Sequence, residues 1–140
     1  MHNSALTISA SQTIALPMRI NPINLAFRFI LEVCALTSFG SWGWAQGESL
    51  LGKVVFAGLV PLFAAGLWGI FAVPNDPSRS GEALIPIPGA IRFILEITIF
   101  ISASLCLFSL GYSSITLAFV TAIAIHYLFS YQRLFWLVRQ

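Results

Sequence analysis

The sequence predicts an all-α fold, a membrane bundle of four transmembrane helices built from two helical hairpins. The chain has 140 residues, of which 58% are hydrophobic and 9% charged, whereas a soluble domain carries about 25% charged residues. Its apolar segments are long enough for the roughly 20 residues of a membrane span. A chain this short cannot bury so much apolar surface in one water-soluble core. The lipid bilayer is therefore the predicted solvent and partner.

Residues 1–22 are predicted to form a flexible N-terminal tail, and residues 23–140 the transmembrane domain. The tail is rich in Ser, Thr and Asn. It lacks the basic segment and apolar core that mark a signal peptide. Met18 begins the sequence Met-Arg-Ile-Asn-Pro just before the first predicted helix. Met1 and Met18 are therefore predicted as alternative native starts. Mass spectrometry of the native N-terminus distinguishes them.

The four helices are predicted at about residues 24–45, 53–73, 89–110 and 115–137. The second carries Pro61 near its middle, which is predicted to kink it. The third and fourth form one apolar block of roughly 40 residues, too long for a single span of a ~30 Å core. A tight turn at Gly111 is therefore predicted between them. Tryptophans near the helix ends are predicted to lie at the membrane interfaces: Trp42, Trp44, Trp68 and Trp136.

Residues 74–88 form the one substantial predicted loop, because they contain four prolines, including Pro74. The loop acids Asp76 and Glu82 are predicted to be solvated. Six of the seven basic residues lie at the termini, in this loop or at helix ends that face them; Lys53 alone lies on the other side. By the positive-inside rule, both termini and the loop are predicted to be cytoplasmic.

The pentapeptide Arg-Phe-Ile-Leu-Glu occurs at residues 28–32 and again at 92–96. An ungapped shift of 64 residues gives nine identities across positions 26–49. Because two membrane helices return the chain to its starting side, the halves are predicted to be parallel repeats. A pseudo-two-fold axis along the membrane normal would relate them.

The two copies place four charges inside apolar segments: Arg28, Glu32, Arg92 and Glu96. An ionised carboxylate at the centre of a membrane costs about 2.5–3.5 kcal/mol on insertion scales. We expect a swapped arrangement, Arg28 with Glu96 and Arg92 with Glu32, since arginine can hold a carboxylate with two bonds. Two interpretations stay open. The pairs either pin the two halves together or line a cytoplasm-facing cavity for an ion, a proton or a polar solute.

His126 is the other ionisable group of this candidate site, about midway along the fourth helix. It shares a four-residue spacing with Ala118, Ala122 and Ser130, which is typical of a close helix–helix contact. A neutral imidazole that hydrogen-bonds across this contact is predicted, with a proton relay to the glutamates as the alternative.

The sequence indicates no enzyme, cofactor or metal site. It contains no Cys/His cluster with metal-ligand spacing, no phosphate loop and no convincing catalytic triad. Its net charge of +2 is too small and scattered to indicate a nucleic-acid partner.

Four blocks of sequence, within roughly residues 20–135, resemble a known family. They are residues 24–36, 40–43, 68–71 with Pro74, and 92–97 with Phe100. The chain is similar to the YrdB-like family of small bacterial integral membrane proteins, whose function is uncharacterised. The resemblance implies four membrane helices in a bacterial cytoplasmic membrane, and no activity, cofactor or substrate. It points to six positions: Arg28, Glu32, Trp68, Pro74, Arg92 and Glu96.

Two functions are compatible with these features. One is a small transporter or channel-like protein, forming a homo-oligomer, that uses the Arg/Glu pairs as its site. The other is a membrane scaffold or accessory subunit in which the pairs are structural.

Overall fold

The computed structural model describes residues 22–74, 76 and 83–140. Within them, the elements are α1 (Pro22–Gln46), α2 (Leu50–Ile70), β1 (Phe71–Ala72), β2 (Ile85–Pro86), α3 (Gly89–Ser109), α4 (Ser113–Phe129) and α5 (Tyr131–Val138). The predicted all-α class is confirmed, with a minor two-stranded addition. The N-terminal tail and its alternative start at Met18 lie outside the described residues.

Helices α1 and α2 pack through direct backbone contact. A Cβ atom added to Gly43 would lie 2.4 Å from the Phe56 carbonyl oxygen, and one added to Gly47 would lie 2.3 Å from the Lys53 nitrogen. Only glycine fits at such distances, as in the small-residue contacts of membrane helices. The turn between the helices is therefore tight, and α2 begins immediately after it.

Helix α2 continues through Pro61 without interruption. Proline cannot donate to the carbonyl four residues earlier, which is that of Ala57. This carbonyl faces α1, where a Cβ at Gly40 would come within 3.4 Å of it. The neighbouring helix thus covers the backbone group that the proline leaves without its helical partner.

The predicted turn at Gly111 is present. Gly111 has φ of +83°, a left-handed conformation that glycine adopts without steric cost. Its N–H donates to the Phe108 carbonyl at 2.9 Å, and the Tyr112 N–H donates to the Leu107 carbonyl at 3.2 Å. These two bonds form a Schellman motif, which ends α3 and lets α4 start at once.

The structure has two short strands that the sequence does not predict: β1 lies within the predicted second helix (53–73), which ends at Ile70 instead, and β2 lies within the predicted loop. Strands β1 and β2 pair in parallel, with Phe71 opposite Ile85 and Ala72 opposite Pro86. The Ile87 N–H adds a bond of 2.9 Å to the Ala72 carbonyl. Strands of two residues are too short to show an alternating apolar and polar pattern, so the sequence does not predict them. The pairing holds the end of α2 beside the start of α3.

The fourth helix predicted over about residues 115–137 is divided into α4 and α5 in the structure. The helix breaks at Ser130, and α5 is bent by 72° from α4. The Asn24 amide on α1 donates to the Ser130 hydroxyl at 2.7 Å. Beyond this point Arg133 points toward carboxylates at the end of the bundle. A straight continuation would carry this arginine away from them.

Helices α1 and α3 supply most of the apolar core, which also receives one side chain each from α2 and α4. Its buried members are Leu31, Ala35, Phe39, Ala64, Ile99, Phe100, Ala103 and Phe119. Three helices are long and apolar enough to cross a membrane, and α4 with α5 makes a fourth if the bent pair is one span. Their exposed apolar surfaces indicate a lipid environment.

Candidate functional site

Six charged side chains meet at one end of the helices and form what we call the charge cluster. Its members are Arg28, Arg92, Arg133, Glu32, Asp76 and Glu96. Three arginines and three carboxylates give a formal charge of zero. They come together because α1 and α3 begin at this end, α2 ends there, and α5 folds back onto it. Salt bridges link all six side chains into one network.

Glu96 is the centre of the charge cluster. Its Oε1 accepts from Arg28 Nη2 at 2.7 Å, from Arg133 Nη2 at 3.0 Å and from Arg92 Nε at 3.3 Å. Its Oε2 accepts from Arg133 Nη1 at 3.2 Å. The side chain is 3% exposed. Desolvation of this carboxylate is thus offset by three guanidinium groups, as a buried charge requires.

Arg92 ties α3 to the end of α2. Its Nη1 donates to the backbone carbonyl of Trp68 at 2.7 Å and also to that of Phe71. The last carbonyls of a helix lack intrahelical partners and carry its negative dipole end, so a cation there is favourable. The Trp68 ring centroid lies 5.6 Å from Arg92 Cζ and 5.9 Å from Arg28 Cζ, within the range of cation–π attraction.

Arg133 is the functional candidate that the sequence reasoning missed. Besides Glu96, its Nη2 reaches Asp76 Oδ2 at 3.0 Å. Asp76 is buried, so the prediction that it is solvated is wrong. The sequence counted Arg133 only toward orientation. The overlooked signal was an arginine inside a predicted membrane helix, together with an acid beside Pro74 at the end of an apolar run.

Glu32 occupies a different environment from Glu96. Among the described residues, its ion-pair partner is Arg28 alone, whose Nε donates to its Oε1 at 3.0 Å. The side chain is 29% exposed. The predicted Arg28–Glu96 pair is present. The predicted Arg92–Glu32 pair is wrong, because Arg92 turns toward the α2 carbonyls and Glu96 instead.

Glu32 lines a partly open cleft of about 550 Å³. The walls combine charged side chains with apolar ones from α1, α2 and α3: Pro22, Leu25, Ala26, Arg28, Phe29, Glu32, Trp68, Gly69, Ala72, Asp76 and Arg92. Cavities of roughly 300–1,000 Å³ are typical of small-molecule sites. Glu96 does not line this cleft, so the two repeated glutamates differ in access although both bind Arg28.

His126 is buried beside the charge cluster without joining its salt bridges. Its Nε2 lies 3.4 Å from the Ser130 hydroxyl, which itself accepts from Asn24. The predicted hydrogen bond from His126 across the helix contact is wrong within the described residues, because His126 contacts Ser130 at the end of its own helix and Ser130 makes the contact with α1. The buried Nδ1 of His126 and the Tyr127 hydroxyl have no hydrogen-bond partner among the described residues. Their rings pack edge-to-face, 5.6 Å apart.

The tryptophans predicted at the interfaces occupy two kinds of position. Trp44 is exposed near the α1–α2 turn, with Lys53 Nζ 5.8 Å from its ring centroid. Trp42 and Trp136 are half-buried. Trp68 packs its ring edge-to-face on Phe100 at 5.4 Å and lies beside Arg28 and Arg92. It is part of the site's wall.

The remaining predicted position, Pro74, is exposed just after β1. It lies two residues before the buried Asp76, which accepts from Arg133. Across residues 22–74, 76 and 83–140, no group of three or more His, Cys, Asp or Glu side chains is placed to hold a metal ion.

Comparison with known proteins places the chain in a family. Residues 26–124 match the model of a family described as "Protein of unknown function (DUF2568)". The chain belongs to this family. Five members of the charge cluster lie inside the matched residues, whereas Arg133 lies beyond them.

A curated relative supports the same assignment. The chain is 35% identical over 122 residues to "Uncharacterized protein YrdB" of Bacillus subtilis (strain 168), covering 87% of this chain and 98% of the relative. The predicted resemblance to the YrdB-like family is confirmed. No solved structure matches the chain.

Proposed function

We propose that this chain is an integral protein of the bacterial cytoplasmic membrane whose charge cluster faces the cytoplasm. The apolar helices support insertion. Among the described residues, Arg28, Arg92, Arg133 and Arg139 lie at the cluster end, and Lys53 lies at the opposite end. This bias agrees with the positive-inside rule and would place both termini in the cytoplasm.

We further propose that the cleft binds a small cation, with Glu32 as its carboxylate ligand, as part of a transporter-like function. The observation that carries this proposal is the contrast between Glu32, 29% exposed in the cleft, and Glu96, 3% exposed beneath three arginines. Charged groups inside membrane segments are rare and mark ion or substrate paths when they are not fully paired.

The pairing of the other groups favours a cation over an anion. Arg28 already donates to two carboxylates, and Arg92 donates to Glu96 and two backbone carbonyls. An anion that approached either guanidinium would be repelled by the carboxylates already bound there. Glu32 has the spare acceptor capacity, because a carboxylate has about four lone-pair sites and Arg28 occupies one. Phe29 and Leu25 beside it offer apolar contact to an alkylammonium group.

A thermal-shift experiment tests the binding step. The purified protein in nanodiscs would be melted in sodium, potassium, ammonium, methylammonium and choline chlorides at constant ionic strength. A ligand at 100 times its Kd stabilises by about 2.7 kcal/mol, which at about 2–4 °C per kcal/mol is a Tm shift of roughly 5–11 °C. We expect one or more of these cations to raise the Tm of the wild type but not of Glu32→Gln.

Glu48→Gln is the matched control, because Glu48 is an exposed glutamate in the turn at the opposite end. It should respond like the wild type. The proposal is overturned if no cation shifts the wild type, or if Glu32→Gln shifts equally. For a cation that binds, its gradient-driven uptake into liposomes then tests transport, with Glu32→Gln as the inactive control.

A membrane scaffold or accessory subunit is the second candidate, and the Glu96 network favours it. Three arginines on one buried carboxylate join α1, α3 and α5, which is an arrangement suited to holding helices together. In this alternative the cleft binds no solute, the chain acts through contacts with itself or other membrane proteins, and catalysis has no role. The cation panel distinguishes the two candidates.

A further inference from the structure

We propose that α5 lies in the headgroup layer of the membrane and binds an anionic lipid surface through its outer face, while its inner face completes the charge cluster. This proposal is independent of cation binding in the cleft. It assigns a partner to a helix that the sequence-based prediction treated as the end of a membrane span.

The inner face of α5 is fixed to the bundle at two points. Arg133 reaches Glu96 and Asp76. Leu137 is fully buried, and a Cβ added to Gly89 would lie 1.6 Å from its carbonyl oxygen. The backbones of α5 and α3 thus meet directly, and the helix cannot rotate without losing both contacts.

The outer face of α5 is apolar and uncovered in the described structure. Tyr131, Phe135 and Val138 follow a spacing of four and three residues, which places them on one side of a helix. They are 53%, 65% and 57% exposed. Gln132 and Arg139 are also exposed, and at 100° per residue they fall together on one flank of this stripe. The helix therefore has an apolar side, a polar flank and a docked side.

This three-sided pattern fits a membrane interface better than water or a membrane interior. Eight residues span about 12 Å, which is too short to cross a bilayer. The 72° bend turns α5 away from the direction of α4. Its apolar stripe continues from Leu128 and Phe129, the exposed last residues of that candidate span. A helix with an apolar side and a basic flank binds in the plane of the headgroups.

Charge complementarity selects anionic lipid as the partner. Arg139 is exposed on the polar flank, and no ion-pair partner for it occurs among the described residues. Basic side chains beside a membrane are attracted to anionic headgroups. Because Arg133 lies on the same short helix, lipid contact at the outer face favours the docked position that lets Arg133 reach Glu96. Lipid composition and the charge cluster are thereby coupled.

Spin-label depth measurements test the position of α5. The full chain, with Cys34→Ala and Cys106→Ala to remove its two cysteines, would carry a label at Phe135→Cys in nanodiscs of mixed phosphatidylglycerol and phosphatidylcholine. We expect high accessibility to oxygen and low accessibility to a water-soluble nickel complex. Gln132→Cys is the matched control on the polar flank and should give the reverse. Tyr131→Cys repeats the apolar-side test if the first variant does not fold.

Two results would overturn the proposal. One is equal access of the nickel complex to the apolar-side and flank labels, which would place the stripe in water. The other is strong dipolar broadening between labels, which would show a second copy of the chain on the stripe.

Lipid charge supplies a separate test. Removing phosphatidylglycerol should raise nickel access at residue 135 at least twofold, and Arg139→Gln should abolish this dependence; no dependence in the wild type would refute an anionic partner.

Discussion

The two copies of Arg-Phe-Ile-Leu-Glu share every letter and one local contact, yet their surroundings differ. In both copies the arginine Nε donates to the glutamate four residues later, at 3.0 Å for Glu32 and 3.3 Å for Glu96. Glu96 receives two further arginines and is buried, whereas Glu32 remains partly exposed in a cleft. Helical spacing therefore explains the shared pair, and the tertiary environment decides what else each carboxylate does.

The difference arises from what the chain places beside each copy. The second copy lies beside Arg133 from α5 and Asp76 from the segment after β1. The first copy opens onto the cleft, and its aromatic residue, Phe29, is 64% exposed. The matching Phe93 packs edge-to-face on Tyr127 at 5.7 Å. A repeated sequence has thus produced one buried carboxylate with three arginine partners and one partly exposed carboxylate.

Replacing Glu96 should cause the largest loss of stability of any single substitution in the charge cluster. Glu96→Gln removes the negative charge that Arg28, Arg92 and Arg133 share, and it leaves the remaining cluster with an excess positive charge. Breaking a buried ion pair costs about 3–5 kcal/mol. We expect a loss of this size in the free energy of unfolding, measured by SDS titration in mixed micelles.

Glu32→Gln is the matched change in the first copy. A partly exposed pair at this spacing contributes about 0.3–1 kcal/mol, so the loss of stability should be several-fold smaller than for Glu96→Gln. Equal losses in the two variants would contradict the assignment of structural and accessible roles.

Removal of Arg133 should have the second-largest effect. Arg133→Ala leaves Glu96 with two arginines but takes a partner from the buried Asp76, so we expect a loss of about 2–4 kcal/mol. In a double-mutant cycle with Glu96→Gln, the two changes should couple by about 1–3 kcal/mol. Additive losses in the SDS titration would show that the 3.0 Å contact carries no net interaction.

The sequence predicted the helical class and the Arg28–Glu96 pair, because charges stand out in an apolar chain and must find partners. It could not predict which arginine binds which carboxylate. Whether Arg92 binds Glu32 or the carbonyls at the end of α2 depends on the residue at which α2 ends. Residue periodicity predicts that end only approximately. At the bend, Ser130 accepts a hydrogen bond from Asn24, which is 106 residues away. Contacts over such distances leave no local pattern.

Gly89→Ala should disturb the second copy without touching a charge. The added Cβ would meet the Leu137 carbonyl at 1.6 Å, so α5 must shift and carry Arg133 with it. Overpacking of this kind costs about 1–3 kcal/mol. Gly58→Ala is the control, since a Cβ there meets nothing within 4 Å. It should be neutral or stabilising by up to about 1 kcal/mol through helix propensity. Similar stabilities for the two variants would argue against close docking of α5 on α3.

A small effect is expected from the hydrogen bond that joins α1 to the bend. Asn24→Ala removes a donor 2.7 Å from the Ser130 hydroxyl, and an intramolecular hydrogen bond contributes about 1 kcal/mol net. Unfolding by SDS should reveal a loss of this size.

In Asn24→Ala, Ser130 should be freer to adopt helical geometry, which would straighten the α4–α5 junction and withdraw Arg133 from Glu96. A spin-label distance between α1 and α5 that lengthens in Asn24→Ala would show this, and an unchanged distance would mean that the cluster holds the bend by itself. In that case the ion pairs of Glu96, and not the bend at Ser130, would account for the burial of the second copy.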